Sequence, residues 1–90
     1  MSDWTYYAVY QTPYSTLEAP DNVLRQRPGA RRQDAEVLSS NGWTTTDLLA
    51  RIFIGRNDAD VTAITHEEAA IIARRKVEQG EIPAIPPDLQ

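Results

Sequence analysis

Ninety residues carry nine basic and thirteen acidic groups, a net charge of −4, and no cysteine. Without thiols there are no disulfides, no thiolate nucleophile, no zinc finger and no iron–sulfur ligation. No apolar run approaches the ~20 residues of a membrane span, and no charged-then-apolar stretch opens the chain, so a soluble, cytoplasmic protein is expected. At this length one small domain is expected, burying roughly 60–65% of the surface its unfolded chain exposes. Basic residues are almost all arginine, with Lys76 the only lysine, and alanine is frequent. That bias is the kind expected of a GC-rich bacterial genome.

In chain order, "WTYYAVYQT" (residues 4–12) is aromatic and β-branched and stops at Pro13, which reads as a strand over about 4–11. Alternation puts Trp4, Tyr6, Ala8 and Tyr10 on one side and Thr5, Tyr7, Val9 and Gln11 on the other. Bulky groups on both sides predict a strand covered at least partly on both faces. "PYSTLEAPDN" (13–22), with two prolines and an Asp-Asn pair, reads as a loop.

"NVLRQR" (22–27) is a short strand ended by Pro28-Gly29. In "DAEVLSSNGWTTT" (34–46), Asn41-Gly42 signals a hairpin with a type I′ turn, joining strands at about 34–40 and 43–46. The competing reading makes 31–40 a short helix with Gly42 just past its end. Val37, Leu38, Trp43 and the threonines suit strands better.

"TTDLLARIFIG" (45–55) reads as a helix over about 46–54, with a threonine cap, Asp47 in the first turn and Gly55 as the stop. Its near-continuous apolar surface predicts burial. "RNDAD" (56–60) reads as a polar loop, and a second helix should run from about 66 to 79, closed by Gly80. The tail "EIPAIPPDLQ" (81–90) favours an extended conformation, either loose or laid on its own domain. Together these elements predict an α+β domain over 1–80, an antiparallel sheet of three to four strands with both helices on one face, followed by a proline-rich tail over 81–90.

The densest chemistry lies in and before "AITHEEAAII" (63–72), where Asp58, Asp60, His66, Glu67 and Glu68 fall within eleven residues. "HEEAA" begins like the zinc motif H-E-x-x-H, but the second histidine would be residue 70, which is Ala70. A calcium loop fails on spacing: starting at Asp58 puts Ala63 where glycine belongs and Ala69 where glutamate belongs. Thr65 and Glu68 instead have the spacing of a capping box, and Glu67 and Glu68 complement the helix dipole. His66 falls by azimuth within the apolar arc of its helix, beside the core. No serine lies in a nucleophile elbow, and the four glycines mark turns rather than a phosphate cradle. No catalytic, metal or cofactor site is expected.

Two surfaces remain as candidates. Arg25, Arg27, Arg31 and Arg32 form the only basic cluster of the first half and could contact phosphates or another anionic ligand. Against a nucleic-acid role stands the overall pI of about 4.8. Tyr7, Ile71, Ile82 and Ile85 are the candidates for contact with a protein partner or a second copy in a homodimer. The expected function is therefore a non-enzymatic interaction or accessory module, with anion binding through the arginine cluster as the alternative. Replacing Thr65 with alanine should cost about 1 kcal/mol of stability if the capping reading holds, measured by urea unfolding.

Overall fold

The computed structural model describes residues 4–10, 22–55 and 60–90. Residues 13–21 of the loop read over 13–22 and the part of "RNDAD" at 56–59 lie outside the described residues; Asn22 opens a strand. Five strands form one antiparallel sheet in the order β4-β3-β2-β1-β5. They are β1 (Thr5–Tyr10), β2 (Asn22–Gln26), β3 (Glu36–Ser39), β4 (Gly42–Thr45) and β5 (Asp60–Ile64). Two α-helices complete the domain, α1 (Leu48–Phe53) between β4 and β5 and α2 (His66–Glu78) after β5. The α+β class is as expected, with one strand more.

The additional strand is β5, which pairs along β1 from Tyr6↔Ile64 to Tyr10↔Asp60. Its alternation is short and begins on an aspartate, so local pattern does not separate it from the loop before it; pairing with β1 decides it. β1 therefore lies between β2 and β5, inside the sheet. Tyr6, Ala8 and Val23 belong to a core that includes Ala69, Ile72 and Ala73 of α2. Val9 and Leu24 belong to a second core with Leu48 and Leu49 of α1. The two helices thus cover opposite faces rather than the same one, and β1 is covered on both sides as its alternation predicts. α1 connects the two edge strands, β4 and β5, and its apolar residues pack beneath the sheet that it crosses.

The β3–β4 hairpin is present, preceded by a short 3-10 turn at Arg32–Asp34 rather than a helix over 31–40. Its turn is not type I′. Ser39 pairs with Gly42, so Ser40 and Asn41 are the central residues, and only Gly42 has a positive φ, 94°. Such a turn followed by a left-handed glycine is a bulged hairpin. The Ser39 hydroxyl completes it, donating to the Gly42 carbonyl at 2.8 Å and accepting from the Asn41 N–H at 3.3 Å.

α1 is shorter and less buried than its composition suggests. Leu48 and Leu49 are buried, whereas Phe53 and Ile54 are 50% and 65% exposed. A helix of fewer than two turns offers the sheet a single side, which leaves the other apolar groups outward. Asp47, expected in the first turn, is instead the N-cap and makes no side-chain capping bond; Thr46, one residue before it, accepts from the Leu48 N–H at 3.2 Å. α2 begins with the expected capping box: Thr65 Oγ1 accepts from the Glu68 N–H, and Glu68 Oε1 accepts from the Thr65 N–H, both at 3.1 Å. It ends in a Schellman motif, with Gly80 at φ 77° and the Glu81 N–H on the Lys76 carbonyl at 2.9 Å.

Two-sided burial makes both cores necessary. Leu38→Ala, on the α2 face, and Leu49→Ala, on the α1 face, should each cost about 2–5 kcal/mol. A loss well under 1 kcal/mol for Leu49→Ala in urea unfolding would mean that α1 does not seal its face.

Candidate functional site

The tail does not trail from the domain. Ile82 and Leu89 are buried in the α2-face core, and Pro86 is buried beside them. Between these anchors the chain is less closely held: Pro83, Ala84 and Pro87 are exposed, and an open groove of about 360 Å³ separates the tail from the β3–β4 turn. Leu38, Trp43 and Ile85 line its apolar part.

Beyond the groove, Asp88 binds three separate elements. Trp43 Nε1 of β4 donates to Asp88 Oδ1 at 3.1 Å, and Arg25 Nη1 of β2 donates to Asp88 Oδ2. His66 Nε2, in the first turn of α2, lies 2.6 Å from the Asp88 carbonyl. A carbonyl can only accept, so this nitrogen carries the proton. His66 also packs edge-on against Tyr6, with ring centroids 5.6 Å apart. The single histidine is thus half-buried beside the core, as its azimuth predicts, and ties the tail to α2.

Arg25 is the centre of the constellation. Its guanidinium lies 3.9 Å from the Trp4 ring centroid and 4.3 Å from that of Trp43, between the two indoles. Nε donates to Glu36 Oε1 of β3 at 2.8 Å. The side chain is only 12% exposed. Strand alternation explains the placement: Arg25 is two residues from Val23 on the same face, and its cross-strand partners are Tyr6 and Glu36. A cation so enclosed requires the two carboxylates that answer it.

The arginine cluster does not converge. Arg25 and Arg27 do share a face, both over Trp4, with Arg27 4.8 Å from the ring centroid. Arg31 pairs with Asp34 at 3.0 Å, and Arg32 lies 3.9 Å over Phe53 of α1, on the opposite side of the sheet. The four guanidiniums therefore do not present one phosphate-binding surface. A cluster close in sequence is divided because the chain turns at Pro28-Gly29 between its halves.

The apolar candidates also separate. Ile82 is in the core at 4% exposure, so it does not offer a surface contact; proline spacing gives no sign of that burial. Ile85 is half-buried against the same core, and Ile71 on α2 is 46% exposed. Tyr7 is half-buried over the α1 face, with its hydroxyl 3.5 Å from Gln26 Oε1. Tyr6 and Tyr10 of the same strand pack with the α2-face core instead. Among the described residues, no three His, Asp or Glu side chains are grouped to hold a metal ion. No described helix is long and apolar enough to cross a membrane.

Sequence reasoning missed Asp88, Trp4 and Trp43. An isolated Asp in a proline-rich tail carries no local signal. The signal that did exist was an arginine in the middle of a short strand whose neighbours Val23 and Leu24 are apolar. Asp88→Asn should cost about 1–3 kcal/mol, and a double-mutant cycle with Arg25→Gln should return a coupling energy of about 0.5–3 kcal/mol, both from urea unfolding. Compared with protein-family models, curated proteins and solved structures, the chain matches none.

Proposed function

We propose that this chain is a non-enzymatic interaction module of the bacterial cytoplasm that associates with a second copy of itself through the outer edge of β5. The observation that carries the reading is that edge. Among the described residues nothing pairs with β5 on the side away from β1. Edge strands that must stay single are usually defended by lysine, proline, a bulge or an inward charge. The sequence "DVTAI" has none of these, and its one charge, Asp60, stands at the end of the strand.

The strand is also compatible with its own copy. An antiparallel pairing centred on Thr62 sets Asp60 opposite Ile64 and Val61 opposite Ala63, so no like charges meet. The resulting contact is two-fold symmetric and closed. Ile64 packs against the α2-face core and Val61 against the α1-face core, so pairing at β5 would join both cores of one copy to those of the next. The anion-binding alternative draws less support, because Arg25 is already matched by Glu36 and Asp88 and the remaining arginines are divided between faces.

Light scattering and sedimentation across a wide concentration range test the reading. A dimer should form, and Thr62→Lys should weaken it by up to about fivefold through like charges facing each other, at about 0.2–1 kcal/mol per such pair. A wild-type protein that stays monomeric at the highest concentration refutes the proposal.

A further inference from the structure

The constellation around Asp88 has the chemistry of a receptor with its ligand in place. A carboxylate meets a guanidinium held between two indoles, an indole N–H reaches its second oxygen, an imidazole N–H holds the adjoining carbonyl, and Leu89 fills an apolar pocket. Every receptor group belongs to the folded body: Arg25 to β2, Trp43 to β4, His66 to α2. Every ligand group belongs to one short segment, Pro86 to Leu89.

The segment's attachment suits exchange. Ile82 and the Schellman motif fix its start, while Pro83 and Ala84 are exposed and the groove runs beside them. Lifting residues 86–90 uncovers Pro86 and Leu89 and breaks the contacts of Asp88, while Ile82, four residues earlier, stays as the anchor. We propose that this end of the chain is a removable intramolecular ligand, and that the site beneath it accepts the same Pro-Asp-Leu segment from a second copy. Charge complementarity selects the occupant: once the segment leaves, Arg25 keeps Glu36 but loses one of its two carboxylates. An aspartate followed by leucine restores both the ion pair and the apolar contact. This contact is separate from the β5 edge, and neither depends on the other.

The test uses the full chain and a synthetic peptide of residues 81–90, "EIPAIPPDLQ", as the second copy's segment. Full-length Asp88→Asn, whose own tail is weakened, serves as the receptor in titration calorimetry. The peptide should bind it one-to-one, about tenfold more tightly than it binds the wild-type chain, whose tail competes. A peptide carrying asparagine in place of Asp88 should bind about tenfold less tightly than the parent peptide, the loss of a charge-assisted pair. Full-length Leu89→Ala repeats the measurement with Asp88 retained, so that a folding defect in one receptor does not decide the outcome. Equal binding of the two peptides, or no binding of the parent peptide to either receptor, overturns the proposal. Because the peptide contains no β5 residue, a monomeric wild-type protein would leave this result unaffected.

Discussion

Enclosing a guanidinium costs several kcal/mol unless its charge and its donors are answered, and Arg25 is enclosed on nearly every side. Trp4 and Trp43 cover its two faces, Glu36 takes Nε, and Asp88 takes Nη1. These four partners come from the residue just before β1, from β4, from β3 and from the last residues of the chain. Satisfying one cation therefore brings together the α2-side face of the sheet and the segment that closes it. The Arg25–Asp88 contact spans 63 residues of sequence, so closing it costs more chain entropy than a local pairing does.

The remainder of the architecture follows from a small protein needing more buried surface than a one-faced sheet provides. With 90 residues, a sheet with one open face would leave Val9, Leu24 and Tyr7 in water. The short α1 closes that face with two leucines, while the longer α2 and the tail close the other. Unequal covering explains why Phe53 and Ile54 remain outside: α1 supplies only what the narrower core takes. Arg32 lies over the exposed Phe53 ring, which shields part of it at a surface-level cation–π contact.

Local physics was legible where it acts within a few residues. The threonine–glutamate box at Thr65 and Glu68, the glycine stop at Gly80, the hairpin about Asn41-Gly42 and the two-sided aromatic strand were all readable from spacing and alternation. The turn type was not, because Asn41-Gly42 fits both a type I′ turn and a bulged one, and the pairing of Ser39 with Gly42 chooses between them. β5 was hidden because five residues beginning with Asp60 carry too little alternation to stand apart from a loop. The inward role of the tail was hidden for a different reason. Proline spacing predicts an extended backbone, whereas Pro87–Leu89 form a 3-10 turn, and it says nothing of what Ile82, Asp88 and Leu89 meet, since those partners lie far away in sequence. The arginine cluster illustrates the converse: closeness in sequence did not survive a turn that sends its halves to opposite faces.

The chain has only two tryptophans, and both lie against the same guanidinium on the same side of the sheet. Intrinsic indole emission is therefore a one-sided reporter. It senses the Arg25 stack, the β4 edge and the seating of Asp88 against Trp43, and it is remote from the leucines beneath α1. An unfolding transition followed by emission therefore reports the α2-side face, whereas one followed by backbone circular dichroism reports the whole fold. Where the two curves coincide, the faces melt together; where emission changes first, the tail and the cation beneath it have let go before the sheet.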